Sequence, residues 1–200
     1  MKYFKYGKKE TDHLKNTDKK LAAVIEKYGI IKREITGDPF AALIESVIGQ
    51  QISGRAAETV TKRFYALLKN KLTPSAVKKC GTQAIQSCGM SFRKASYITG
   101  IAEAAVEKKL DFKKIHLMED EEIIKKLSSL NGIGVWTAEM FLIFSLGRKN
   151  ILSYGDLGIR DGIMKLHNLK KLSKKDFEKY KKLYSPYSSI ASFYLWAVRG

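Results

Sequence analysis

The sequence predicts an all-α protein of about ten helices joined by short connections. Three observations carry this. Apolar residues recur at helical spacing almost throughout, and no run alternates apolar and polar residues over the length of a strand. Capping residues precede most of the apolar stripes, and glycines end several of them. At 44% hydrophobic over 200 residues, the chain has enough apolar side chains for a packed core, in one domain or two small lobes.

The elements follow in order. Up to Thr11 the chain looks irregular. One helix is then predicted to Tyr28, with Leu14, Leu21, Val24 and Ile25 on one face and Gly29 as its stop. Asp38-Pro39 pairs an N-cap with proline at the first helical position, and Phe40, Leu43, Ile44, Val47 and Ile48 repeat at core-facing spacing. Ser53 caps a helix carrying Val60, Phe64, Leu67 and Leu68. Thr73-Pro74 starts a short helix ended by Gly81, and Thr82 starts another ended by Gly89. Ser91 caps a longer one with Ala95, Ile98, Ile101, Ala102 and Ala105. Asp120 caps the short helix carrying Ile123, Ile124 and Leu127, and another pattern runs from Ala138 to Leu146, closed at Gly147. Asp156 opens a helix with Leu157, Ile159, Ile163 and Leu166, Ser173 caps a basic one, and Pro186 opens an aromatic-rich last one.

A net charge of +17 attracts a polyanion, and nucleic acid is the obvious one. An anionic membrane surface is the competing partner, but no segment approaches a spanning length and Met1-Lys2-Tyr3-Phe4-Lys5 has no apolar signal core. Cys80 and Cys88 are too few for a disulfide framework or an iron–sulfur cluster, and His13, His116 and His167 form no ligand-spaced pair. The expectation is a cytoplasmic protein, nucleoid-associated if prokaryotic, and a monomer.

Two stretches carry chemistry. Leu130-Asn131-Gly132-Ile133-Gly134-Val135-Trp136-Thr137-Ala138 lies between two apolar helical patterns, which predicts helix, tight hairpin, helix. The second helix starts at about Gly134, and N–H groups at a helix start bind a phosphate oxygen well. The same residues also suit a corner that only packs, with Gly132 as a helix end. In Gly49-Gln50-Gln51-Ile52-Ser53, two adjacent amides stand at a helix junction, where they suit a base edge or cap neighbouring backbone.

These pieces, with Ile48-Gly49-Gln50-Gln51-Ile52-Ser53, Gly89-Met90-Ser91-Phe92-Arg93-Lys94-Ala95, Tyr154-Gly155-Asp156-Leu157-Gly158-Ile159-Arg160 and Tyr184-Ser185-Pro186-Tyr187-Ser188-Ser189 through Trp196, resemble the helix-hairpin-helix (HhH-GPD) DNA glycosylases. Within them the chain looks most like the 3-methyladenine DNA glycosylase II (alkylbase) branch, from about Lys32 to the end. The resemblance implies a bilobal all-α fold with a cleft between two helical lobes and no N-terminal β domain. One lobe would be residues 1–36 plus 157–200. The other would be residues 37–156, containing the hairpin and leading to a catalytic aspartate.

The implied reaction is hydrolysis of the N-glycosidic bond of an alkylated base flipped out of double-stranded damaged DNA. Asp156 matches the catalytic carboxylate, a role compatible with capping a helix. Trp136 stands where lyase-type relatives carry a lysine, so strand cleavage is not expected. Trp136 and Trp196 match pocket walls, with Met140 and Leu157 at other wall positions where relatives carry aromatics. Gln51 matches the side chain that fills the vacated duplex, with Gln50 beside it. Gly132, Ile133 and Gly134 would hold the phosphate backbone, with Arg160 and Lys94 adding phosphate contacts. No cofactor is required for catalysis; the backbone carbonyls of Leu130 and Gly132 would hold a structural K⁺ or Na⁺. Other readings are a glycosylase for oxidised or deaminated bases and a non-catalytic helix-hairpin-helix DNA-binding protein.

Overall fold

The computed structural model describes residues 2–199. Among them run twelve α-helices, one short 3₁₀ turn and a two-stranded sheet. The chain divides into two compact units, Met1–Ile35 with Leu142–Gly200, and Thr36–Phe141.

The unit of residues 36–141 is built on local caps. Asp38 Oδ1 accepts from Phe40 N at 2.9 Å and Ala41 N at 3.1 Å, starting α3 (Pro39–Gly49), with Pro39 in its first turn. The stripe Phe40, Leu43, Ile44, Val47 and Ile48 is buried as its spacing predicts. Ser53, Thr73 and Ser91 cap α4 (Gly54–Leu67), α5 (Pro74–Cys80) and α7 (Phe92–Val106) as expected. Between α5 and α7, Gly81 serves both as the end of α5 and the start of α6 (Thr82–Gln86). Helix α7 is the centre of this unit: α3, α5 and α6 pack on it, and Ala95, Ile98, Ile101 and Ala102 are its buried face. A 3₁₀ turn, Ile115–Leu117, leads to α8 (Asp120–Ser128), where Glu119 rather than Asp120 holds the cap position. Helix α9 (Val135–Phe144) follows the hairpin.

The other unit gathers both ends of the chain. The predicted single helix before Tyr28 is two, α1 (Lys8–Thr17) and α2 (Lys19–Tyr28). Asp18 breaks it: its N–H still bonds Leu14 O at 3.0 Å, while its Oδ1 accepts from Lys20 N and Leu21 N and starts a new helix. Residues before Thr11 are ordered too. Lys2–Tyr3 (β1) pairs antiparallel with Glu34–Ile35 (β2), and α1 begins at Lys8, where Gly7 N donates to Glu10 Oε2 at 2.9 Å. Strands of two residues are too short to show alternation.

Helices α10 (Leu157–His167), α11 (Lys174–Tyr184) and α12 (Ser188–Arg199) complete this unit. Every residue from Ser188 to Leu195 is buried, and α1, α2, α10 and α11 all pack on α12. Gly158 and Gly162, one turn apart on α10, let it come closest. A Cβ at Gly162 would lie 2.3 Å from Leu195 O, and one at Gly158 would lie 2.8 Å from Trp196 Cδ1. Neither helix has room to give there.

The unit boundary at 141/142 differs from the 156/157 boundary that the resemblance implied. Hydrogen bonds to α12 explain why. Ser189 Oγ donates to Arg148 O at 2.7 Å and accepts from Ile151 N at 2.9 Å, while Ser189 N donates to Lys149 O at 3.0 Å. Lys149 Nζ also donates to Glu10 Oε1 at 2.7 Å. The connection 145–156 is therefore fixed in the unit that holds the chain ends, and Asp156 with it.

At the far end of α10 from Asp156, a buried polar cluster joins α1, α10 and α11. The Tyr184 hydroxyl donates to Asp18 Oδ2 at 2.8 Å, and His167 Nε2 lies 3.2 Å from the same oxygen. Burial lowers the His167 pKa from its ordinary 6.5, against the pull of Asp18. A histidine whose folded pKa is depressed is taken up as neutral. As pH falls through about 6.5 the unfolded chain binds a proton that the folded one refuses, so stability falls. In urea melts, the loss of stability between pH 7.5 and 5.5 is expected to be smaller for His167→Gln than for the unsubstituted protein. Separately, Gly162→Ala is expected to cost about 1–3 kcal/mol, seen as a lower urea midpoint with unchanged slope.

Candidate active site

The carboxylate of Asp156 is fixed by elements local and distant. As the N-cap of α10, its Oδ1 accepts from Ile159 N at 2.8 Å. The same oxygen accepts from the indole Nε1 of Trp196, 40 residues on, at 2.9 Å. Gly158 permits this, because its missing Cβ leaves the indole edge room to pass. Asp156 is 8% exposed. A carboxylate at a helix N-terminus, oriented by peptide and indole N–H groups, can stabilise a neighbouring positive charge.

Trp196 was expected as a pocket wall. Its ring lies against Phe144 and Phe193, with centroids 5.8 and 6.0 Å away and planes tilted by 24° and 26°, and its edge holds Asp156. The Arg33 guanidinium carbon stands 5.8 Å from the ring centroid. Neither the Trp196–Asp156 bond nor the position of Arg33 has a signal in the sequence, since both join segments far apart in the chain. Leu157, next to Asp156, is 53% exposed. Arg160, one turn along α10, has its guanidinium carbon 5.3 Å from the Tyr154 ring centroid, and its Nε is buried without a hydrogen-bond partner among the described residues.

The hairpin in the other unit is built as its glycines predict. Ile133 N closes the turn on Leu130 O at 3.1 Å, and α9 begins with Ala138 N on Gly134 O at 3.0 Å. Gly132 has φ +84°, and the Tyr97 ring would lie 2.1 Å from a Cβ there. Both features require glycine. Ile133 is buried beneath the turn while Gly134 is exposed. On the first turns of α9, Trp136 is 46% exposed and Met140, four residues on, is half-buried on the same face.

The two glutamines separate. Gln50 Nε2 donates to Gly132 O at 2.9 Å, so it braces the hairpin from the end of α3 rather than offering its amide N–H outward. Gln51 is exposed with φ +57°, a left-handed backbone that a glutamine adopts at a cost. Lys94, expected on phosphate, donates its ammonium to Ile48 O at 2.8 Å and to Gln50 O, capping the carbonyl end of α3. Burial lowers its pKa.

The Leu130 and Gly132 carbonyls each accept one of these bonds and keep a second lone pair. Hard neutral oxygens of this kind suit a K⁺ or Na⁺ better than a transition metal. Among the described residues no three His, Cys, Asp or Glu side chains group to hold a metal, and no helix is long and apolar enough to cross a membrane.

Comparison with known proteins agrees with this geometry. Residues 44–186 match the HhH-GPD superfamily base excision DNA repair protein family. Among curated proteins, the DNA-3-methyladenine glycosylase 1 of Schizosaccharomyces pombe is 32% identical over 191 residues, covering 92% of this chain and 84% of that one. Among solved structures, the DNA-3-methyladenine glycosidase of Bacillus halodurans superposes with a TM-score of 0.89 at 34% identity, over 100% of this chain and 93% of that one. The S. pombe 3-methyladenine DNA glycosylase in complex with abasic DNA superposes with a TM-score of 0.78 at 32% identity, over 94% and 95%. With a match over most of its length, and the hairpin and the aspartate that follows it both formed, the chain belongs to the HhH-GPD superfamily of base excision DNA repair proteins.

Proposed function

We propose that this protein is a monofunctional DNA glycosylase of the 3-methyladenine II type, releasing alkylated bases from double-stranded DNA. The observation that carries this is the buried Asp156 carboxylate, bonded through one oxygen to Ile159 N and Trp196 Nε1. The names of the relatives support the substrate class.

In the reaction the C1′–N bond breaks and its electron pair leaves with the base. The sugar is left with positive charge, which the Asp156 carboxylate stabilises; Asp156 also orients the water whose oxygen bonds to C1′. An N-alkylated purine that is already cationic departs neutral and needs no acid. Trp136 presents an indole where a lyase presents an amine, so no Schiff base forms there and the product is an intact strand with an abasic site.

Gly132–Gly134 grip a phosphate, aided by a K⁺ or Na⁺ on the Leu130 and Gly132 carbonyls, and Gln51 fills the space the flipped base leaves. The strained, exposed backbone of Gln51 supports that last assignment. The protein acts as a monomer in the cytoplasm, on the nucleoid if the cell is prokaryotic.

Asp156→Asn is expected to reduce release of 3-methyladenine from duplex DNA on the order of 10²–10³-fold, with DNA binding kept. Release at an unchanged rate would remove Asp156 from the mechanism. Strand cleavage is expected only after alkali, and borohydride is expected to trap no covalent adduct. Trp196→Phe keeps the ring and removes the N–H; single-turnover release should slow about tenfold, the loss of one hydrogen bond to a charged group. Gln51→Gly should relieve backbone strain and raise the melting temperature while weakening binding to lesion-bearing duplex.

A further inference from the structure

Positive charge is concentrated around α11. Between residues 165 and 182 stand eight lysines against two acidic residues, about a third of the net charge of +17 in less than a tenth of the chain. All eight lysines are exposed, and five of them lie on α11. The helix sorts its residues by face. Phe177 and Tyr184 are buried; the Phe177 ring lies 5.2 Å from that of Tyr154, and the Tyr180 ring 4.7 Å from that of His167. The opposite face carries Lys174, Lys175, Glu178, Lys179, Lys181 and Lys182, all exposed.

Elsewhere exposed lysines are balanced by an acid one turn away, as Lys8 is by Asp12 and Lys62 by Glu58. On α11, Lys179 pairs with Asp176 at 2.8 Å, while Lys174, Lys175, Lys181 and Lys182 have no side-chain hydrogen bond or ion pair among the described residues. Lys175 and Lys179 are like charges at i,i+4, and such pairs weaken a helix. A polyanion relieves that repulsion.

We propose that the outer face of α11 is a lesion-independent DNA-binding surface, which holds the phosphate backbone of undamaged duplex while the protein moves along it. The proposal rests on the reading above that DNA is the substrate. Lys174 and Lys181, like Lys175 and Lys182, stand seven residues apart, about 10 Å along the helix axis, the rise of about three base pairs of duplex. The face holds no aromatic or amide side chain to read a base edge, so its contacts carry no sequence or lesion information. A membrane is a poorer match, because the apolar side of α11 is already packed inside its unit and offers nothing to a bilayer.

The test measures binding by fluorescence anisotropy over a salt series, with the full chain and two duplexes of one sequence, one undamaged and one carrying a stable abasic-site analogue. The first variant combines Lys174→Gln, Lys175→Gln, Lys181→Gln and Lys182→Gln, and a second combines Lys174→Arg, Lys175→Arg, Lys181→Arg and Lys182→Arg. A control removes four exposed lysines of the other unit, as Lys69→Gln, Lys71→Gln, Lys78→Gln and Lys79→Gln, for the same change in net charge. Thermal melts check folding; if the first variant is unfolded, Lys174→Gln with Lys181→Gln takes its place at half the expected shift.

The glutamine variant of α11 is expected to bind both duplexes about tenfold more weakly, by the same factor, with a salt slope shallower by about two to four. The arginine variant should bind as the unsubstituted protein does, and the control should lose clearly less. A loss no larger than the control's, a loss confined to the abasic duplex, an arginine variant as weak as the glutamine one, or a loss seen on phosphatidylserine vesicles and not on duplex would each overturn the proposal. Release of 3-methyladenine is assayed separately on the unsubstituted protein. Its absence would overturn the glycosylase reading and is told apart from the outcomes above because it needs no variant and no binding measurement.

Discussion

The terminal unit depends on one close approach, α10 against α12. At Gly162 the backbone of α12 occupies the space a side chain would need, and at Gly158 the Trp196 indole does. The consequence for chemistry is direct. Asp156 caps α10 by its own local geometry, as an aspartate does in many proteins, but capping alone would leave its side chain at an ordinary helix end. Only when α12 lies this close does the indole N–H reach Oδ1, and the carboxylate gains a second, non-local tether. Ser189, on the same helix, holds the connection that delivers Asp156. One buried helix therefore fixes both the approach to the aspartate and its oxygen.

The hairpin unit solves a different problem. Its turn must stay tight while presenting an exposed glycine, and the support comes from behind. Tyr97 fills the space under Gly132, Gln50 bonds the Gly132 carbonyl, and Lys94 bonds the Gln50 carbonyl in turn. This chain of contacts links α3, α7 and the hairpin. It also sets Gln51 apart: with Gln50 drawn inward and its carbonyl held, the backbone turns through a left-handed residue and the next side chain is left in solvent. The strain at Gln51 is thus the cost of a braced hairpin.

What could be read in the sequence follows the range of the interaction. Asp38, Ser53, Thr73, Ser91, Asp156 and Ser173 were legible as caps because each bonds backbone two or three residues away. Asp18 was missed although it obeys the same rule, because Leu14, Leu21 and Ile25 stay on one helical face across the break and hide it. The unit boundary was missed because it is set by Ser189 reaching back to residues 148–151. At the candidate site, residue types were legible and partners were not. Gln50 and Lys94 were legible as groups that suit DNA, but not the carbonyls that folding brings to them. Trp196 was legible as an aromatic, while its polar edge acts on a residue that no spacing rule connects to it.

If Asp156 acts on DNA as proposed, a carboxylate is an awkward group to keep there, and the way it is held bears on how that is tolerated. The chain carries a net charge of +17, and a surplus of that size more than offsets one buried anion in drawing a polyanion close. Local charge is a separate matter. The groups that Ile159 and Trp196 bring to Oδ1 are a peptide and an indole N–H, which carry dipoles and no net charge of their own. An ammonium or guanidinium in the place of these donors would cancel much of the field that a sugar cation needs. A cation does lie over the indole ring, the Arg33 guanidinium carbon standing 5.8 Å from its centroid. On the proposed reading, attraction for DNA is spread over many lysines, while the chemistry rests on a carboxylate that these two N–H groups orient.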